Sequence, residues 1–355
     1  MPLLLGYILL GLIFSGFLSG DNSYLLNIVA QTGIILLFFF IGLKFSIYHL
    51  INMLRKIWHA GVLDLLLNFV VSFLLAYLFG VGFIGALILA GVTYSTSSSI
   101  TLKMLDETGR SRKAESDFKL ALLLFEDVFA PFIISVLLAL SIHREITAYE
   151  LIVVLAKTVL LTGAALIIAR YGFSRLEMFV KRYSEASFIL FLVLAVAFFT
   201  AGIAVYLGLS KLLGAFLAGV MLSETSGSRD FKEIILPLKN IMMPFFSFWY
   251  GTSITLKAGV IYPGLLIMLI VWGFVGKFLV GWYGGRKYGL SKKSSLRSGF
   301  SLMQRGEFSI IVATLAGPGL LTFSGIYIVI TIILGVFAFF KAHYLTEKLF
   351  LFFRI

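Results

Sequence analysis

Apolar runs long enough to cross a bilayer, about 20 residues each, follow one another along the whole chain with only short polar connections between them. A window of that length predicts twelve transmembrane helices, near residues 2–19, 25–43, 57–79, 82–102, 118–142, 149–170, 184–206, 208–224, 234–256, 259–284, 296–316 and 321–340. In lipid every backbone N–H and C=O needs a partner within the protein, and a helix supplies one inside its own segment. The predicted fold class is therefore an all-α polytopic membrane protein. No connection is long enough for a separate folded domain, and the longest polar segment, 103–119, reads as a solvated loop. The first run lacks a basic leader and a small-residue cleavage site, so it reads as a span and not as a signal peptide.

Composition narrows the class further. Of 355 residues, 60% are hydrophobic and only 13% charged, with a mean hydropathy of +1.04, which leaves too little polar surface for a soluble domain of this size. The absence of cysteine excludes disulfides, thiolate metal sites and cysteine nucleophiles. The net charge of +12 is explained by topology and not by a nucleic-acid partner. Alternate connections carry 23 of the 29 Lys and Arg residues, while only Arg144, Lys211 and Lys257 fall on the opposite side. The positive-inside rule then puts the rich side, with both termini, in the cytoplasm of a cell-membrane protein.

The two halves of the chain resemble each other. Gly6–Gly11 (GYILLG) is echoed by Gly214–Gly219 (GAFLAG), an offset of 208, and Gly42 by Gly251, an offset of 209. The first copy starts inside and the second outside, so the repeats are inverted. Inverted repeats with interrupted helices at matching positions are the architecture of secondary transporters, with the substrate near the midplane. The offset brings Ser97 onto Arg305, in the two spans with the longest polar interruptions.

Polar residues within the spans mark the candidate chemistry. Glu126 and Asp127 stand together in LLFEDVFAP, where each ionised acid costs roughly 2.5–3.5 kcal/mol at the bilayer centre even on lenient scales. In the fourth span, Thr93, Ser95, Thr96, Ser97, Ser98 and Ser99 favour local side-chain hydrogen bonds over continuous helix. They offer hard oxygen ligands for an alkali cation, or else a small-residue face for close helix packing. In the eleventh span, Arg305 and Glu307 flank Gly306, where a break lets them pair, either as a structural brace or with a direct role. Lys277 lies deep in the tenth span, to be partnered by the fifth-span acids unless it snorkels to the interface. Lys157 reads as structural or lipid-facing, and Asp64 and Glu224 as boundary residues. The four histidines fall in connections or at span ends, which argues against a histidine relay or metal centre. No metal cluster, serine elbow or acid–base set suggests an enzyme.

Taken together, 36–45 (LLFFFIGLKF), 93–100, 123–131, 209–224 (LSKLLGAFLAGVMLSE), 276–279 and 304–308 (QRGEF) carry a resemblance that covers nearly the whole chain. The chain resembles the membrane domain of the monovalent cation:proton antiporters, in the cation:proton antiporter-2 branch that holds bacterial Na⁺/H⁺ exchangers and potassium-efflux systems. The resemblance implies that the fourth and eleventh spans are unwound and cross beside the fifth-span acids. It implies a mobile core of helices near 57–142 and 259–340, scaffold and dimer helices near 2–43 and 184–256, and a linker helix near 149–170. It also implies a homodimer embedded in lipid. Many relatives carry a further helix before the first one here, and potassium-efflux relatives add a cytoplasmic nucleotide-binding regulatory domain that this chain is expected to lack. The acid pair is Glu-Asp where relatives show Asp-Asp, Asn-Asp or Gln-Asp.

By the same resemblance Asp127 is the ion-binding aspartate, and Glu126 pairs with Lys277. A proton and a cation, the latter held by Asp127 with oxygens of Thr93, Thr96, Ser97 and Ser98, then compete for one site, so that alternating access enforces exchange. No cofactor is expected beyond the transported ions. The lysine and paired acids favour sodium, with lithium alongside it, and two protons per cation. Potassium is the alternative, followed by a sodium-coupled organic-anion symporter of the same fold, and then by a channel.

Overall fold

The computed structural model describes residues 3–15, 21–44, 47–110, 113–142, 148–171, 186–225, 228–255 and 259–353, and every regular element among them is a helix. In order these are α1 (Leu3–Phe14), α2 (Asp21–Lys44), α3 (Ile47–Asp64), α4 (Val71–Leu78), α5 (Phe83–Tyr94), α6 (Ser98–Glu107), α7 (Ala114–Ile142) and α8 (Ala148–Tyr171). They continue as α9 (Ala186–Tyr206), α10 (Lys211–Ser223), α11 (Ser228–Ser253), α12 (Pro263–Leu279), α13 (Gly285–Tyr288), α14 (Lys292–Phe300), α15 (Glu307–Ala313) and α16 (Pro318–Phe353). A π-helical turn at Leu65–Val70 joins α3 to α4, and another at Val280–Gly284 joins α12 to α13.

Among the described residues, eight stretches are long and apolar enough to cross a membrane, including Ile51–Leu78, Phe83–Glu107, Ala114–Ser141 and Pro263–Tyr288. Two shorter apolar helices, α1 and α10, join them. Where the eleventh span was expected, two short helices, α14 and α15, flank a non-helical segment.

The chain divides into two compact units. The first comprises Met1–Ser15, Met53–Ala130 and Tyr250–Ile355, and the second Gly16–Asn52 and Pro131–Trp249. The division falls inside α7 at Pro131, whose missing N–H interrupts the helix ladder. Within the first unit a Cβ on Gly251 of α11 would run into Ile8 O and lie 3.0 Å from Gly11 Cα of α1. Within the second, a Cβ on Gly42 of α2 would strike Phe216 O and lie 3.0 Å from Gly219 Cα of α10. Gly11 and Gly219, and Gly42 and Gly251, are the positions equated by the sequence repeat. Each unit thus contains the same crossing, between the first helix of one repeat and the second helix of the other, with backbones in contact as small residues in lipid allow.

The core of the first unit includes Ile57, Ala60, Phe118, Leu122, Phe125, Val280 and Leu302, drawn from α3, α7, the second π turn and the α14–α15 break. The segment 103–119 is not the solvated loop expected. α6 runs through it to Glu107 and α7 begins at Ala114. Glu115 is buried, with Arg110 Nε at 2.8 Å, Arg297 Nε at 3.0 Å and Lys119 Nζ at 3.9 Å. One buried carboxylate thereby ties the α6–α7 turn and the start of α7 to α14. Three cations share it because a buried acid without counter-charge is costly.

Candidate functional site

The site forms where two broken helices of the first unit cross. α5 ends at Tyr94, because Ser95 turns extended, and α6 starts after Ser97, whose Oγ accepts from Ile100 N as the N-cap. The hydroxyl-rich run thus leaves a gap between two half-helices. The gap between α14 and α15 passes against it. Ser97 N donates to Gln304 O at 2.9 Å, Thr96 Oγ1 to Leu302 O at 3.2 Å, Ser309 Oγ to Ser95 O at 3.4 Å, and Gln304 Nε2 to Thr101 Oγ1. These bonds replace helix bonds that the breaks forfeit, as burial demands. Gly306 lies directly on Ser97, where a side chain would overlap its Cα and Cβ, so this position requires glycine for the close approach. Gly335 of α16 does the same beneath Gln304.

The breaks expose helix ends, and charges gather on them according to the helix dipole. Arg305, fully buried, donates from Nη1 to Tyr94 O at the carboxyl end of α5 (3.3 Å) and from Nε to Tyr327 Oη (3.3 Å). At the amino end of α6, Ser98 Oγ lies 3.0 Å from both carboxylate oxygens of Asp127. Ser97 and Ser99 both donate to Glu307, the first residue of α15. Asp127, Ser98 and Glu307 are half-buried and Ser99 is exposed, so this end of the site reaches the surface.

A dry cluster lies beside it. Glu126 is fully buried, with one carboxylate oxygen on Thr96 N and the other 3.2 Å from Thr96 Oγ1. Its Oε1 is 3.0 Å from Lys277 Nζ, which also lies 2.8 Å from Asp64 Oδ1 and 5.7 Å from the centroid of the Tyr94 ring. Asp64, Glu126 and Lys277 all have no exposure. Asp64 is held again by Asn68 Nδ2 at 2.8 Å. The π turn frees carbonyls there, and two side chains take them: Trp272 Nε1 donates to Leu67 O (2.7 Å) and Thr93 Oγ1 to Asn68 O (2.9 Å).

Of the residues singled out in the sequence, Glu126, Asp127, Thr96, Ser97, Ser98, Lys277, Arg305 and Glu307 therefore meet at the crossing. Thr93 does not face the acids, since its hydroxyl is bonded to the Asn68 and Ala90 carbonyls. Arg305 and Glu307 take separate partners instead of one another. Asp64 is no boundary residue, for it lies midway along Ile51–Leu78 and shares Lys277 with Glu126. An aspartate with an asparagine four residues on, sharing one face of an apolar helix, is the signal that points to it.

The chain has relatives among known proteins. The family described as "Sodium/hydrogen exchanger, transmembrane" matches residues 1–343. The chain is 40% identical over 333 residues to the ammonium/H⁺ antiporter subunit AmhT of Alkalihalophilus pseudofirmus, covering 94% of this chain and 85% of that protein. It is 31% identical to the K⁺/H⁺ antiporter subunit KhtU of Bacillus subtilis, over 89% of this chain and 79% of KhtU. Among solved structures it is similar in fold to the sodium proton antiporter MjNhaP1 of Methanocaldococcus jannaschii, with a TM-score of 0.69 at 16% identity, over 98% of this chain and 92% of the other. The chain belongs to the sodium/hydrogen exchanger family of membrane cation/proton antiporters, which are secondary transporters and not enzymes.

Proposed function

We propose that this protein exchanges a monovalent cation for protons at Asp127, which holds one or the other and never both. The observation that carries the reading is the position of Asp127. It is only half-buried, fixed by the Ser98 hydroxyl at the amino end of a half-helix, and next in sequence to an acid that a buried lysine holds. A carboxylate attracts a cation, and a proton on the same oxygens removes the charge that does so. The Ser98 hydroxyl oxygen and the remaining oxygens of the 95–97 break complete the ligand set. Thr96 and Ser97 act one step back, by orienting Glu126 and Glu307. Rigid-body movement of the helices that carry the site gives alternating access. The protein works as a homodimer in the cell membrane with both termini in the cytoplasm.

The relatives named as ammonium and potassium antiporter subunits favour an ion of that larger size over the sodium expected from the acid–lysine pattern. Sodium is the second reading, supported by the paired acids and Lys277. The test is a screen of NH₄⁺, K⁺, Rb⁺, Na⁺ and Li⁺ in proteoliposomes carrying a pH-sensitive dye. Proton movement against each imposed cation gradient is expected, largest for K⁺ and NH₄⁺. A response led by Na⁺ and Li⁺ selects the second reading, and none with any cation removes both.

A further inference from the structure

We infer that Asp64 is the standing counter-ion of Lys277, the carboxylate that keeps the ammonium partnered when its contact with Glu126 opens. The inference rests on the proposed exchange at Asp127. Lys277 Nζ lies at nearly the same distance from two carboxylates, 2.8 Å from Asp64 and 3.0 Å from Glu126, and none of the three is exposed. Arg305, the other buried cation here, donates to Tyr94 O and Tyr327 Oη, so the one ammonium is in direct contact with both acids and can keep either when the other moves.

The supports of the two acids differ. Asp64 is fixed to the same pair of helices that carries the lysine. Asn68, one turn on, donates to it at 2.8 Å, and the Asn68 amide packs on Gly276, where a Cβ would lie 2.8 Å from its Oδ1. Trp272 of α12, five residues before Lys277, bonds to Leu67 O in the π turn at 2.7 Å. Asp64, Asn68, Trp272 and Lys277 thereby form one braced block. Glu126 belongs to the other side of the lysine. Its oxygens are held by the backbone N–H and hydroxyl of Thr96, inside the unwound segment, and its neighbour Asp127 is held by Ser98. A rearrangement of the break on ion binding moves Glu126 and leaves Asp64 in place. The other charged or titratable groups facing this cluster are Arg305 and Tyr327 from the second break and α16, Tyr94 at the end of α5, and Asp127 on α7.

Asp64 thus acts as a positioning residue. With it, Lys277 keeps a partner when Glu126 leaves, and the opening does not strand a buried ammonium. Without it, Lys277 has Glu126 alone, and the pair is harder to separate. The experiment compares wild type, Asp64→Asn and Asp64→Glu in proteoliposomes, with rates referred to folded protein counted by size-exclusion chromatography. Asp64→Asn keeps the volume and is expected to lower kcat about tenfold, with KM for the cation changed less than about threefold, while Asp64→Glu recovers most of the rate. A purely structural role lowers the yield of folded protein and not kcat. Unchanged kcat in folded Asp64→Asn overturns the inference, as does loss of cation binding, which would make Asp64 a ligand.

If Asp64→Asn does not fold, Asn68→Ala removes only the amide that pins Asp64. A smaller fall in kcat is then expected, and an unchanged kcat overturns the inference. An active wild type and an inactive Asp127→Asn, together with wild-type kcat in Asp64→Asn, would defeat this inference alone. A wild type that moves no cation would defeat the proposed exchange.

Discussion

Two carboxylates that are neighbours in sequence occupy opposite kinds of place. Glu126 has no exposure and meets Lys277 and Thr96, so its charge is balanced within the protein. Asp127 is half-buried, and Ser98 holds both its oxygens from the end of a helix that presents only partial charge. Consecutive residues on a helix point about 100° apart, which suffices here to put one acid in a buried, ion-paired cluster and the other toward the surface. The difference teaches a division of labour. Uptake and release of an ion call for an acid that is only partly buried, and full burial of an acid calls for a cation at hand.

Breaking the wet side should have the largest effect on transport. Asp127→Asn is expected to abolish exchange, by at least about a hundredfold, while the protein elutes as folded, because only the half-exposed acid changes. Near-normal flux in that variant would dissolve the contrast. Breaking the dry side should instead show first in stability. Lys277→Ala leaves Asp64 and Glu126 buried beside each other without a cation, and a cost of about 3–5 kcal/mol is expected from loss of one partner of a buried pair. Thermal denaturation in detergent checks this, and an unshifted midpoint would remove the lysine from the brace. Glu307→Gln sharpens the comparison at its edge. Glu307 is half-buried and keeps its contacts to Ser97 and Ser99 when neutral, so a fall in exchange rate of only about two- to fivefold is expected. A loss equal to that of Asp127→Asn would make Glu307 a second ion ligand.

Much of the fold was legible because lipid imposes period and length on sequence. Apolar runs and a repeat offset of 208 predict helices and inversion from residues alone. The breaks were legible too, since six hydroxyl residues between 93 and 99 compete with the helix for backbone bonds. What escaped was whatever depends on where a helix truly begins. Arg55, Lys56 and His59 depress the average before residue 60, so a hydropathy window puts Asp64 near a span end. The candidate span in fact runs Ile51–Leu78 and Asp64 is at its middle. The π turn that aims Asp64 and Asn68 has no composition signal. Thr93 looked like its hydroxyl neighbours but sits on the last turn of α5, where its bond goes to backbone. The segment 103–119 looked solvated because sequence shows its charges and not that Glu115 collects two of them, with Arg297 of α14, in the interior.

The central claim is that proton and cation exclude one another at Asp127. Its most direct measurement is proton release when K⁺ or Na⁺ is added to purified protein in weakly buffered detergent, read with a pH dye across about pH 5 to 9. The account predicts at least one proton released per cation bound wherever the free site is protonated, with apparent affinity weakening as acidity rises, and no release in Asp127→Asn. Cation binding of unchanged affinity across that range, with no proton appearing in solution, would contradict it.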